Sequence, residues 1–431
     1  MGFALKFQVY MKMKEPKIKF RRETGFKETE IGEIPREWEV RKLGDMATIK
    51  TGKTDVKDAV EDGEYPLFDR SDQIKRSNKY LFDTEAVIVP GEGKDFTPRY
   101  YKGKFDLHQR TYAIFDFKEL NGKYLFFAMH ILRHTLRDFA VGSTVESLRL
   151  PILKNLDIPY PPLPEQSRIA TVLSWFDDLI EVKKKQNEIL EKTAMAIFKS
   201  WFVDFEPFRD GEFVYSEELG KEIPKGWEVK RLYELCKILR GLNFKSNEVI
   251  FEYVKGYIPV LRTNNIKGGF EIDFSDLMFV KEDKINPEKL LKENDILLSA
   301  SNGNPELVGN FAVFLNTFTD LAFSFGAFIY LIRVNNHEMF PYVYLSLSDN
   351  SFREYVASAI SGTNINNLNL SDLKNFPVLI PPSPILQSFH SLVEPLFQKI
   401  ILNQKQIMIL RKIRDTLLPL LVFGKLRVEE V

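Results

Sequence analysis

The residues best equipped for chemistry in this chain are two carboxylate–lysine patterns, Glu92-Gly93-Lys94 and Glu282-Asp283-Lys284, with Asp83 and Asp276 upstream. Carboxylates that hold a divalent ion beside a lysine are the equipment of a metal-dependent nuclease. Among 60 acidic and 60 basic residues, Glu-x-Lys arises readily by chance, and the pattern is read here as solvated surface. His130 and His134 lie four apart, so a helix would put both on one face, as metal ligands can be. Ile131 follows His130 where a metalloprotease has Glu, and no third ligand is near, so a structural or surface role is favoured. The other histidines are His108, His337 and His390.

Nucleotide chemistry finds no better footing. There is no G-x-x-x-x-G-K-S/T loop and no glycine-rich cofactor turn between a strand and a helix. The Asn/Asp-Pro-Pro-aromatic tetrad of amino-methylating enzymes is missing as well. Tyr160-Pro161-Pro162-Leu163 and Ile380-Pro381-Pro382-Ser383 lack the polar residue that would hold an amino group. No catalytic residue, metal ligand or cofactor is therefore assigned. The single cysteine, Cys236, excludes an internal disulfide and fits a reducing cytoplasm.

The elements that organise the chain are two long helical patterns. Pro161-Pro162-Leu163-Pro164-Glu165-Gln166 forms an elbow, with Ser167 as the expected cap of a helix reaching Phe202. Val172, Phe176, Leu179, Lys183, Gln186, Leu190, Thr193 and Ile197 recur at spacings of four and three, the seam of a coiled coil. A second elbow begins at Pro381, an offset of 220 (381 − 161), and the same offset gives Leu392, Leu396, Lys399, Asn403, Gln406, Leu410, Ile413 and Leu417. Both seams have a polar centre. The pattern predicts two helices that pair antiparallel, with Lys183 and Gln186 beside Asn403 and Gln406. Off the seam, Trp175, Ile180, Ile189, Met195, Phe198 and Phe202 are expected to leave apolar surface for the chain's own domains or a partner.

The rest of the chain is duplicated too. Ile34-Pro35-Arg36-Glu37-Trp38 is echoed by Ile223-Pro224-Lys225-Gly226-Trp227, an offset of 189 (227 − 38), so the second copy carries about thirty extra residues before its elbow. Glu85 to Gly93 matches Asn294 to Gly303, each an apolar strand running into a polar glycine-bearing loop. Leu120 to Leu136 reads as a helix. The Gly142-Ser143-Thr144 loop after it matches Gly362-Thr363-Asn364. Met1 to Lys27 is a basic lead-in, expected to be a loosely ordered extension rather than a phosphate-touching arm. A length of 431 residues, 44% hydrophobic, requires two or three domains with real cores. No signal peptide is seen. Phe311 to Ile332, which contains Asn316, Asp320 and Gly326, reads as core strands rather than a membrane span. A net charge of zero excludes an evenly basic surface but not a local basic face.

Taken in order, these motifs resemble the specificity subunits of type I restriction-modification systems. The resemblance rests on the two Ile-Pro-x-x-Trp openings, on Ile258-Pro259-Val260-Leu261-Arg262-Thr263, on Asp295-Ile296-Leu297-Leu298-Ser299 and on the Pro161–Gln166 elbow. It runs from Glu28 to the C-terminus. The second elbow departs from it, with Ile385-Leu386-Gln387 in place of Glu-Gln. The resemblance implies an α/β (α+β) chain with pseudo-two-fold duplication. Two similar target-recognition domains, 1–160 and 207–380, would be joined by long antiparallel coiled-coil helices, 161–206 and 381–431. It further implies a non-catalytic subunit that reads a bipartite double-stranded DNA sequence. Such a subunit assembles with methyltransferase subunits and ATP-dependent endonuclease subunits, in the cytoplasm and away from membranes.

Loop residues are the expected DNA contacts: Thr51, Lys53, Arg70, Ser71, Lys94, Arg99 and Arg110 in the first copy. In the second they are Arg240, Asn243, Lys245, Arg262, Asn264, Asn265, Asn302 and Asn304. Arg matches guanine and Asn matches adenine in the major groove, while Lys neutralises phosphate. A helix from Ser167 to Ser200 would span roughly 50 Å, enough to bridge one turn of DNA or slightly more. Two rival readings stand: a methyltransferase or nuclease with a fused reader, and a protein scaffold that never touches DNA.

Overall fold

The computed structural model describes residues 18–71, 73–93, 96–139, 147–316, 321–360 and 367–430. The chain divides into two compact units, one formed by 1–180 with 410–431 and the other by 181–409. Each long helix contributes to both units, 163–180 and 410–422 to the first and 181–202 and 383–409 to the second.

In the first unit a six-stranded sheet runs in the order Thr48–Thr51, Thr111–Phe115, Phe82–Pro90, Arg99–Leu107, Tyr65–Phe68, Lys75–Ser77. Alternation along Ala86-Val87-Ile88-Val89 feeds two cores. Val87 and Val89 pack under the helix Gly122–Phe139, while Ala86 and Ile88 join Phe68, Phe105 and Leu107 on the other face. The lead-in is not a frayed extension where it is described. Ile18–Arg22 pairs antiparallel with the C-terminal strand Leu426–Glu430, and Phe26–Lys27 pairs with Ile34–Pro35. The chain ends supply each other's hydrogen bonds, a pairing too distant in sequence for local pattern to reveal.

The second unit repeats this frame in two four-stranded sheets. Cys236–Arg240, Ile329–Val334 and Ile296–Ser299 stand where Thr48–Thr51, Thr111–Phe115 and Phe82–Pro90 stand in the first. The continuous strand Arg99–Leu107 is answered by two shorter strands, Phe311–Val313 and Ser324–Phe325. Phe311 to Ile332 is thus core strand and loop where described, as the sequence implies. Among the described residues no helix is long and apolar enough to cross a membrane.

The long helices are Leu163–Phe202 and Ser383–Val422, 40 residues each and so about 60 Å long. The first starts four residues before Ser167, with Pro164 in its opening turn, where a proline costs no hydrogen bond. In the second unit Lys183 Nζ donates to Gln406 at 2.5 Å and Asn403 Nδ2 donates to Asn187 at 2.9 Å and Gln186 at 3.3 Å. As one helix advances from 183 to 187 its partner retreats from 406 to 403, so the pair is antiparallel. In the first unit Arg414 on the second helix meets Asp177 on the first at 2.6 Å.

The expected seam is correct at Val172, which is buried beside Leu173, and at Phe176, Lys183, Leu190 and Ile197, which are partly buried. It is displaced by one elsewhere on this helix: Leu179, Gln186 and Thr193 are exposed, and Ile180, Asn187 and Ala194 are buried instead. On the second helix Val393, Ile400 and Ile407 replace Leu392, Lys399 and Gln406. Neighbouring apolar pairs such as Val172-Leu173 and Leu179-Ile180 fit either register, and the copied offset carried the error across. Of the off-seam residues expected to pack on the chain's own domains or on a partner, Ile180, Phe198 and Phe202 are core. Trp175 and Ile189 do remain exposed, at 47% and 65%.

Asn187 and Asn403 form a buried amide pair at the polar centre of the seam. Replacing Asn403 alone with Leu strands the Asn187 amide oxygen and should cost about 1–3 kcal/mol. Replacing both with Leu should raise the melting temperature above wild type, and calorimetry in which the double variant melted below either single one would refute the pairing. Glu191, further along the same helix, sits against Tyr344, whose hydroxyl donates to it at 3.4 Å. Burial pushes its carboxyl up to about 6 from 4.5, aided by Glu188 and opposed by the Tyr344 bond. The folded state therefore holds its proton more tightly than the unfolded state. Its contribution is full below pH 4.5 and is lost as pH rises through about 6. Glu191→Gln should stabilise by roughly 2 kcal/mol at pH 8 and converge with wild type near pH 4. A pH-independent difference in unfolding free energy would contradict this.

Candidate nucleic-acid interface

Four chain segments converge at corresponding places in the two units, held by matching backbone hydrogen bonds. In the first unit His108 N donates to Phe68 O, Gly91 N to Arg110 O, Gly52 N to Thr111 O and Lys53 N to Leu107 O. In the second, Gly326 N donates to Leu261 O, Ala300 N to Phe328 O, Gly241 N to Ile329 O and Leu242 N to Phe325 O. Strand registers agree: Phe68 pairs with Leu107 as Leu261 pairs with Phe325, and Thr51 pairs with Tyr112 as Arg240 pairs with Tyr330. Tyr112 and Tyr330 each donate at 2.9 Å, to the carbonyls of Leu148 and Leu368. Glycine is required where backbones cross. A Cβ on Gly52 would stand 1.8 Å from Leu107 O, and one on Gly241 would stand 2.1 Å from Gly326 O.

The first unit gathers charge here. Glu92 accepts from Arg110 at 2.7 Å and from Arg70 at 3.4 Å, while both guanidinium groups stay more than half exposed. The carboxylate thus aims two arginines outward from one point. Asp69 is buried, which acts to raise its pKa. Its bonds to Lys75 at 2.6 Å and to Ser71 outweigh that and hold it below the usual range. Ser71 is consumed in this turn, and its carbonyl accepts from Arg99. Thr51 and Lys53 are exposed at the rim. Beneath them Asp106, 1% exposed, accepts from Thr54 and Ser77. Burial lowers the His108 pKa, and its Nδ1 accepts from Arg110 N at 3.2 Å. The expected contact Lys94 lies outside the described residues, as do the loops at 142–144 and 362–364.

The second unit arranges its residues differently. Arg240 donates to Ala327 O at 3.4 Å, and Asn243 and Lys245 are exposed on the segment that follows. Asp276 gathers Arg262 at 2.7 Å and Asn264 at 2.9 Å. Asn265 is a correction: at 1% exposure it accepts from Arg262 N and donates to the carbonyls of Asp273 and Asp276, so its side chain is spent on shaping the loop. Asn302 and Asn304 each bond the backbone two residues on, at Asn304 N and Glu306 N. Their carbonyl ends set turns. Sequence reasoning passed over Glu92 as an arginine buttress, along with Thr54, Asp106, His108 and the exposed Phe328. The offsets visible in the sequence, 189, 209 and 220, do not pair Arg110 with Phe328; the offset of 218 that does so appears only in the strand registers.

The carboxylate–lysine patterns build no shared site. Glu92 is taken by two arginines, and Asp83 lies at the far end of the nine-residue strand Phe82–Pro90, about 30 Å away if the strand is extended. Among the described residues no group of three His, Cys, Asp or Glu could hold a metal ion. His130 stacks edge-on against Phe126 at 4.7 Å. Cys236 is buried, which pushes its thiol up to about 12.

A repeated frame of loops on two similar units, with exposed Arg, Lys and Asn at the tips, defines a class of duplicated, loop-presenting proteins. The sequence profile of the type I restriction modification DNA specificity domain matches residues 35–192 and 224–410. The chain is 41% identical to the type I restriction enzyme MjaIX specificity subunit of Methanocaldococcus jannaschii, covering 96% of this chain and 99% of that one. It is 26% identical to the EcoDI specificity subunit of Escherichia coli, over 87% and 85% of the two chains. A crystal structure of the S subunit of a type I restriction-modification system from M. genitalium matches with a TM-score of 0.54 at 21% identity. That match covers 90% of this chain and 96% of that one. The chain belongs to the family of type I restriction-modification specificity subunits.

The loop frame makes its own prediction. Gly52→Ala and Gly241→Ala should each destabilise the chain by about 1–3 kcal/mol or more, because the added methyl meets backbone that cannot swing aside. Unchanged melting curves for both would show that the crossings are looser than described.

Proposed function

We propose that this chain is the non-catalytic DNA-specificity subunit of a type I restriction-modification complex, each unit reading one half of a bipartite double-stranded target. The observation that carries this reading is the loop cluster, built twice on one hydrogen-bond frame yet furnished with different side chains. One frame with two sets of tips suits two different half-sequences on one ligand. Residues 1–160 and 207–380 are the reading domains, and the segments 161–206 and 381–431, which carry the two long helices, set half-site spacing. Thr51, Lys53, Arg70, Lys94, Arg99, Arg110, Arg240, Asn243, Lys245, Arg262, Asn264, Asn302 and Asn304 are proposed to face DNA, with Ser71 and Asn265 acting through loop shape. The exposed Trp175 and Ile189 on the first long helix supply apolar surface for methyltransferase subunits. ATP-dependent endonuclease subunits complete the complex, which acts in the cytoplasm.

The test is methylation mapping with the reconstituted complex. Arg110→Ala should relax one position in one half-site, costing about 1–3 kcal/mol there, as loss of a bidentate base contact does. Arg240→Ala should change the other half alone. The purified chain without partners should neither cut nor methylate DNA. Changes to both half-sites from either variant, or methyl transfer by the rigorously purified chain, would overturn the reading.

A further inference from the structure

The matched loops allow a residue-by-residue comparison at their tips. Phe68 corresponds to Leu261 and Leu107 to Phe325 through the parallel strand pairs, which places Thr263 where Arg70 stands and Phe328 where Arg110 stands. Val89 corresponds to Leu298 through pairing with Tyr112 and Tyr330. The bridges Glu92–Ser147 and Ser301–Asn367 then place Ser301 at Glu92. The arginine–glutamate–arginine cluster of the first unit is therefore replaced in the second by threonine, serine and phenylalanine. Phe328 is 61% exposed, on a turn anchored by the bond from Ala300 N to its own carbonyl. Arg240 stands beside it, bonded to the Ala327 carbonyl.

We infer that Phe328 is a specificity-determining residue that packs on the 5-methyl group of a thymine in the half-site read by the second unit. This rests on the proposal that the loops face DNA. A single exposed aromatic means little by itself; its position carries the argument. The backbone that presents Arg110 in one unit presents Phe328 in the other, and a phenyl ring has no hydrogen bond to offer. Among base edges in the major groove, the thymine methyl is the apolar feature, and Phe is among the side chains that contact it. Arg240, alongside, supplies the charge that keeps the turn against the nucleic acid.

The experiment uses the reconstituted complex and its mapped target, with thymine replaced by uracil one position at a time in the half altered by Arg240→Ala. Uracil removes the methyl and leaves every hydrogen-bonding group in place. One position should weaken wild-type binding about four-fold, the affinity that burial of one methyl group confers. Phe328→Ala should bind the thymine duplex as weakly as wild type binds that uracil duplex, and should be indifferent to the exchange. Phe328→Leu should retain part of the sensitivity. A half-site without thymine, or a wild type indifferent to every uracil, overturns the inference. So does a Phe328→Ala variant whose defect is loss of assembly with the methyltransferase subunits. Those three outcomes leave the DNA-reading proposal standing. A complex with no bipartite specificity overturns both.

Discussion

The first unit depends on a buried ion pair at its elbow. Glu165, 3% exposed, accepts from Arg427 Nη2 at 2.6 Å and from the Trp38 indole at 3.2 Å. Arg427 also reaches Glu23 at 2.8 Å and pairs with Glu37, and it lies 5.4 Å over the Trp38 ring. These contacts join the start of the first long helix, the Ile-Pro-x-x-Trp opening, the N-terminal strand and the C-terminal strand. A unit assembled from 1–180 and 410–431 needs such a fastening, because no local contact brings its two pieces together. Burying an ion pair is costly, and it stabilises only when the remaining donors and acceptors are satisfied, as they are here. Glu23 shows this: backbone N–H bonds from Gly25 and Thr24, then Arg427, hold its carboxyl down at about 2.

The second unit makes the same junction from hydrocarbon. Both long helices leave through a left-handed residue, Gly424 in one and Phe205 in the other, and counting from these places Phe208 where Arg427 stands. Phe208 lies 5.1 Å edge-on from Trp227, and Ile385, in the place of Glu165, packs against the same core. The Glu-Gln to Ile-Leu departure at the second elbow is thus half of a coordinated exchange. Removing Glu165 alone would leave Arg427 Nε and Nη2 without their acceptor in a buried place, a cost avoided when acid and base are lost together. Phe205 tolerates its left-handed backbone because its ring packs 5.5 Å from Trp227.

The duplication, the antiparallel helices and the polar centre were legible in the sequence because each left a local periodicity that could be compared with a second copy. What could not be read was set by distant partners. The Ile18–Arg22 strand is defined by residues more than four hundred positions away. The seam register was ambiguous by one residue because Val172-Leu173 and Leu179-Ile180 are apolar at both alternatives. Only the facing helix distinguishes them, by placing Asn403 against Asn187. Asn265 looked like a reader because asparagine in a loop satisfies two descriptions, base contact and loop staple. Burial separates them.

Where the thirty extra residues went shows how one frame came to carry two sets of tips. The offset between matched positions is 189 at Thr51 and Arg240, 193 at Phe68 and Leu261, 209 at Val89 and Leu298, 218 at Tyr112 and Tyr330, and 220 at Ser147 and Asn367. Each step falls between contact points and none displaces one. The largest, sixteen residues, lies between Leu261 and Leu298 and holds the strands Ile266–Gly268 and Glu271–Ile272, while Met278–Lys281 answers Lys75–Ser77 of the first unit. An insertion at a contact point would break a buried backbone hydrogen bond or force a methyl into the Gly52 or Gly241 crossing. An insertion between them lengthens the intervening chain, whose loop-closure cost grows only logarithmically. The frame therefore constrains backbone and leaves tip side chains free, the condition under which Arg110 and Phe328 can occupy one position in two otherwise equivalent sites.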